Sequence, residues 1–312
     1  MQEAQEEAAL PQLSGELFLT DGGIETTLIF HGGLDLPEFA AFDLLKDDEG
    51  TEALRRYYLP YLDLAREQGA GFVLEAPTWR ASPDWAARIG YSAEQLETAN
   101  RDAIGLMAEL RDEHGDVRPM VISGCVGPQD DGYDPQRLLS ADEAAEYHST
   151  QIGTLADAGA DMVAALTLTY VEEAIGIARA AEAAGLPAAI SFTLETDGRL
   201  PSGQPLSAAI EVADAATAGA TAYYMINCAH PTHFESVLGG SWTTRIRGLR
   251  ANASTKSHAE LDESDELDDG DPVDLGVRYA ALRDRLPQLN VLGGCCGTDD
   301  RHVREICRAR AA

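Results

Sequence analysis

The sequence predicts a parallel α/β fold closed into a single-domain (β/α)8 TIM barrel, and three observations predict it. Short β-rich runs alternate with longer helical patterns eight times along the chain. The 312 residues lie within the range of one such barrel. No G-x-G-x-x-G follows the first strand, which removes the usual nucleotide argument for the alternative, an open doubly wound sheet.

The expected strands are Glu16–Thr20, Gly71–Glu75, Arg118–Ser123, Asp161–Leu166, Pro187–Leu194, Thr221–Asn227, Arg245–Arg250 and Leu289–Leu292. Helical patterns follow at about 51–68, 93–114, 141–157, 171–184, 205–218, 231–238, 273–285 and 299–310. Four junctions repeat one signature, Gly69-Ala70, Gly159-Ala160, Gly185-Leu186 and Gly219-Ala220, where glycine at C′ ends a helix. Ser140-Ala141-Asp142-Glu143 is a capping box, and Ser92-Ala93-Glu94-Gln95 has the form of one.

Two segments stand outside the repeat. Residues 1–14 read as a mobile acidic tail ahead of a barrel spanning 15–312. Residues 257–274 form an acidic loop after the seventh strand, at the end of the barrel where catalysis occurs, in the place of a lid or simply of a solvated charged loop.

Composition excludes several partners. With 53 acidic against 23 basic residues the formal charge is −30, which argues against nucleic acid and anionic membranes. Lysine occurs only at Lys46 and Lys256, a balance compatible with adaptation to high salt. No run approaches the roughly 18 apolar residues of a membrane span. The first residues lack the basic start and apolar core of a secretory signal, so a cytoplasmic location is expected. Oligomeric state stays open.

Five cysteines in such a chain do not read as a disulfide framework. Three of them fall at strand ends: Cys228 in Met225-Ile226-Asn227-Cys228, and the pair in Gly293-Gly294-Cys295-Cys296-Gly297. In a barrel all three open on one face. Neighbouring residues on a strand point oppositely, so both sulfurs of the pair reach one ion only from a turn, and the flanking glycines supply that freedom. Three thiolates with a fourth position open suit Zn2+ in a catalytic site. The other strand ends offer Asp21, Glu75, Cys125, Thr169, Glu195 and Asn252. Cys125 and Cys307 are expected to pack rather than to ligate, whereas His230 and His233 are either helix-cap groups or additions to the metal site.

Asp21-Gly22-Gly23, Asn227-Cys228 with Pro231, and Gly293-Gly294-Cys295-Cys296-Gly297-Thr298 resemble the homocysteine S-methyltransferase family, over about residues 15–310. The resemblance implies zinc on Cys228, Cys295 and Cys296. It implies that Asp21 and the Gly22-Gly23 backbone hold the amino-acid end of homocysteine, and that a small onium donor (S-methylmethionine, S-adenosylmethionine or betaine) gives up a methyl to the thiol, yielding methionine. Metal coordination keeps such a sulfur deprotonated and nucleophilic at neutral pH, so no catalytic residue beyond the metal site is required.

The chain departs from the family after strands four and two. Leu166 and Thr169 stand where carboxylates are expected, and Leu74-Glu75-Ala76-Pro77-Thr78-Trp79-Arg80-Ala81-Ser82 replaces a Thr/Asn/Ser-rich aromatic segment. Glu75 or Glu195 is then the replacement carboxylate, or Glu75 is merely paired with an arginine such as Arg80. Thr169 and Asn252 are further candidate substrate contacts. Trp79, Tyr133 and Tyr170 are candidates to wall the onium by cation–π contact. The alternatives are the same chemistry on another thiol or a selenol, and a non-catalytic zinc- or thiol-binding barrel.

Overall fold

Alternate residues of a strand point to opposite sides, and in this chain that alternation decides what fills the barrel and what faces the helices. The computed structural model describes residues 10–133, 135–264 and 266–309. Its strands are β1 (Phe18–Leu19), β2 (Gly71–Glu75), β3 (Met120–Val126), β4 (Met162–Leu168), β5 (Ala188–Phe192), β6 (Thr221–Asn227), β7 (Ile246–Ala251) and β8 (Val291–Gly294). All pair in parallel in chain order, and β8 returns to β1 through Phe18 opposite Val291, closing the (β/α)8 barrel.

Phe18, Val73, Val121, Met162, Ala189, Tyr223 and Val291 point inward and form one apolar cluster. Their neighbours Leu19, Phe72, Ile122, Val163, Ile190, Tyr224 and Leu292 point outward into the larger core beneath the helices. Further toward the C-terminal end, inward side chains of several strands turn polar: Glu75, Ser123, Ser191, Asn227 and Arg250 are all buried, while Met225 and Leu166 stay apolar. That switch from apolar to polar inside the barrel marks the functional end.

The long helices form where the periodicity places them: Asp48–Gln68, Ala93–Glu113, Ala141–Asp157, Val171–Ala183, Leu206–Ala216, Pro272–Arg285 and Asp300–Arg308. Ser92 and Ser140 each complete a capping box with Gln95 and Glu143. Gly69, Gly159, Gly185 and Gly219 all take positive φ at the helix-to-strand junctions.

Several elements differ from expectation. The helix expected over 231–238 is only Pro231–Phe234, and the chain then reaches β7 through a 3-10 turn at Ser241–Arg245. Residues 235–237 already form turns, and Gly240 follows at a φ of 98°. Between β1 and Asp48 the chain makes a series of short turns, including a π-turn at Thr27–His31 and a 3-10 turn at Ala41–Lys46. A further helix, Pro83–Arg88, follows β2. Of the tail expected over 1–14, residues 1–9 lie outside the described residues, whereas 10–14 are packed. Leu10 and Gln12 are buried against the lower end of the barrel, where Gln12 Nε2 donates to Met162 Sδ (3.1 Å) and Asn290 Nδ2 donates to Gln12 O (2.8 Å). Of the acidic segment 257–274, residues His258–Asp262 are helical, and Leu261, Asp262, Ser264, Glu266, Leu267 and Asp268 contribute to the upper cavity wall. Among the described residues no helix is long and apolar enough to cross a membrane.

Candidate metal centre and substrate cavity

A cavity of about 480 Å³ opens at the C-terminal end of the strands. In its wall the sulfurs of Cys228, Cys295 and Cys296 converge within 4.8 Å of one another. Cys228 follows β6 with a φ of 54°, a left-handed conformation uncommon for a residue with a side chain, and its sulfur lies 2.7 Å from that of Cys295 and 3.6 Å from that of Cys296. The turn carrying the cysteine pair is held from several sides. Cys295 N donates to Ala251 O (2.9 Å), Gly297 N to Thr26 Oγ1 (3.1 Å), and Thr298 N to Cys295 O (3.0 Å).

The donor set fits a soft metal. Without an ion the three thiols share protons: hydrogen bonds from Cys228 and Cys296 pull the Cys295 thiol well down, while those two are pushed up. A cation is what allows all three to be thiolates, and sulfur ligands with one position left over suit zinc. Asn227 sits behind them. Its Oδ1 accepts from Thr167 N (2.8 Å) and Ser191 Oγ (2.6 Å), and its Nδ2 lies 3.7 Å from Cys295 Sγ.

Asp21 and Glu75 both reach the cavity. Asp21 Oδ2 accepts from Tyr57 OH (2.8 Å), and Oδ1 is 2.8 Å from Arg250 Nη2. Burial raises its carboxyl, an effect opposed by Arg250. Glu75 is pushed up to about 8 by burial, with Arg250 opposing, and its Oε2 has no hydrogen-bond partner among the described residues. Arg250, like Thr167 and His258, was not singled out from the sequence. It also donates from Nε to Gly294 O and from Nη2 to Gly22 O, both at 3.0 Å, tying the ends of β1, β7 and β8 together. Gly22 and Gly23 are fixed by close approach: a Cβ on Gly23 would stand 2.5 Å from Cys295 O, and one on Gly22 would stand 2.7 Å from Thr298 O. Part of the Gly22-Gly23 backbone is already engaged, because Gly23 N donates to Thr298 O (3.0 Å).

Thr169 and Asn252 are buried but do not line the cavity. A register shift in β4 between Ala165 and Leu168, with Thr167 at a φ of 66°, brings Thr167 to the wall instead. Leu166 lines the wall as an apolar side chain. Glu195 is not in the cavity but pairs with His258 (3.1 Å). His258 Nε2 in turn donates to Cys228 O (2.6 Å), and its ring stacks on Tyr133 with centroids 4.1 Å apart. Tyr133 lies over the sulfurs, its hydroxyl 3.5 Å from Cys228 and 3.7 Å from Cys296. His230 caps the short helix at Pro231, burial pushing it down to about 4, and His233 Nε2 donates to Thr255 O (2.9 Å); neither joins the sulfur cluster. Cys125 lines the interior, Cys307 lies in the core, Trp79 is in the cavity wall and Tyr170 is not.

The sequence profile of the homocysteine S-methyltransferase family matches residues 18–310. The chain belongs to that family of methyl-transferring enzymes. Two curated relatives are similar along nearly their whole lengths. Homocysteine S-methyltransferase 1 of Arabidopsis thaliana is 25% identical, over 94% of this chain and 93% of its own. Selenocysteine Se-methyltransferase of Brassica oleracea var. italica is 24% identical, over 94% and 88%. The metallated form of the homocysteine methyltransferase MmuM from Escherichia coli has the same fold, with a TM-score of 0.68 at 21% identity, covering 95% of this chain and 96% of its own.

Proposed function

We propose that this family member is a zinc-dependent S-methyltransferase that moves a methyl group from a small onium donor to the thiol of homocysteine, giving methionine. The observation that carries the reading is the convergence of three sulfurs, from strand ends 67 residues apart in sequence, in the wall of a cavity that also holds two buried carboxylates. Zinc on Cys228, Cys295 and Cys296, when bound, supplies an incoming thiol with deprotonation at neutral pH while leaving its sulfur nucleophilic.

The chain's own residues do the rest. Asp21 and Glu75 present carboxyl oxygens to an ammonium group, Glu75 giving up its proton as that cation binds and filling the role left empty by apolar Leu166. Arg250 holds Asp21 in place and fixes the distance between the amino-acid end and the cysteine turn. Tyr133, backed by His258, covers the sulfurs and must give way when the thiol arrives. The new S–CH3 bond forms as the onium–CH3 bond breaks, so no general base acts on the methyl itself. The two substrates are small molecules.

Zinc content and homocysteine binding are to be measured on wild type and Cys296→Ala. One zinc per chain, lost in the variant, with homocysteine sulfur entering the zinc shell by X-ray absorption, is the expected result. Absence of zinc overturns the mechanism. A second reading, another thiol or a selenol as acceptor, follows from Leu166 in the wall; zinc binding with no homocysteine coordination would favour it.

A further inference from the structure

We propose that Arg80 is an anion subsite in the mouth of the cavity and takes the carboxylate of the methyl donor. The inference rests on the methyltransfer reading above. Arg80 is only 7% exposed, and its guanidinium carbon lies 3.3 Å from the ring centroid of Trp85 and 4.2 Å from that of Trp79. The two indoles hold the guanidinium in a fixed orientation. Its Nε and Nη1 are buried with no hydrogen-bond partner among the described residues, and Nη2 reaches Asp131 only at 4.0 Å. A buried cation with unmet donors is costly unless something fills them, and burial pushes this guanidinium down to about 10. Arg250 in the same cavity, by contrast, has protein acceptors for Nε and Nη2 and leaves only Nη1 unmet.

The surroundings favour an anion at this point. The cation–π place expected for an onium at Trp79 already has a guanidinium over it, and Trp85 also carries Arg88 at 4.0 Å. Arg88 is paired with Glu38 (3.6 Å), while Arg80 keeps a two-pronged N–H edge, Nη2 with Nη1 or Nε, that matches a carboxylate. The subsite adjoins the chemistry: a Cβ on Gly132 would stand 3.0 Å from Thr167 Cγ2 and 3.5 Å from Trp79 Cζ2, and the next residue, Tyr133, touches the sulfurs. The other charged groups of this wall, Glu25, Glu38 and Asp131, are acidic. A zwitterionic donor thus meets negative charge at its onium and a fork of N–H groups at its carboxylate.

The probes are S-methylmethionine and betaine, each paired with its uncharged carboxamide, on zinc-loaded wild type, Arg80→Gln and Arg80→Lys. Wild type is expected to prefer the acid of at least one pair. In Arg80→Gln, kcat/KM for that acid falls by about 10- to 100-fold while the amide changes little, so the preference collapses. Arg80→Lys retains charge without the fork and falls between, and thermal melts check that both variants fold. Equal losses for acid and amide, or a preference that survives in Arg80→Gln, overturns the subsite. Should wild type transfer no methyl, the reaction reading fails. The subsite is then judged by quenching of the flanking tryptophans: a tighter acid, lost in Arg80→Gln, supports it, and no acid–amide difference in either pair overturns it.

Discussion

Glu75 puts a carboxyl one inward step above Val73, in a layer where its charge is opposed by burial and helped by Arg250. Its pKa rises from the usual 4.5 to about 8. Between those values the folded chain holds a proton that the unfolded chain has released, so stability from this group falls as pH rises through that window. Glu75→Gln should therefore melt with wild type near pH 5 and above it by roughly 2–6 °C at pH 8.5. Parallel melting curves across that range would contradict the shift. The variant should also weaken binding of an amino-acid substrate. Glu75, Asp21 and the three cysteines were legible because strand ends are written in the alternation of the sequence. Arg250 was not, since in Arg245-Ile246-Arg247-Gly248-Leu249-Arg250 the last arginine looks like any other strand residue. Tyr133 was singled out only as a wall for the onium and His258 not at all, because both lie outside the strands, where no periodicity reports a neighbour. Thr169 was misplaced because a register shift cannot be seen in the pattern of one strand.

At the scale of elements, the site depends on how closely β8 passes β1. A methyl group at Gly293 would stand 1.9 Å from Thr20 Oγ1 and 2.6 Å from Asp21 O. Gly293→Ala should cost about 1–3 kcal/mol in denaturant unfolding and should reduce zinc stoichiometry, because the strand carrying Cys295 must shift. An alanine variant with full metal content and unchanged stability would show that the seam has room for a methyl group. The eight strands and seven long helices followed the written periodicity. The short helix at Pro231 and the turns between Ile24 and Lys46 did not, because runs of fewer than two turns leave too few repeats for a period to register.

Across the whole molecule, like charge is the dominant unbalanced term. The formal charge is −30, and arginines such as Arg55, paired with Glu109 and Glu113, offset only part of it. Raising KCl from about 0.1 to about 2 M shortens the screening length from roughly 10 Å to a few ångströms. The melting temperature should rise with it; a flat or falling response would remove self-repulsion as a limit on stability. The charge was plain in the sequence, while the packing of Leu10 and Gln12 was not, because their burial depends on the lower end of a barrel formed by distant strands.

That segment has a kinetic meaning. With Leu10 and Gln12 buried against one end of the barrel and the cavity opening at the other, the upper opening serves as both door and exit. Two substrates using one doorway behave as a stack, last in and first out. On the proposed reaction, a thiol held against the sulfurs would enter before the donor, and the spent donor would leave before the methylated product. Steady-state rates should accordingly carry the signature of compulsory order, with the methylated thiol competing against the thiol and the spent donor competing against neither.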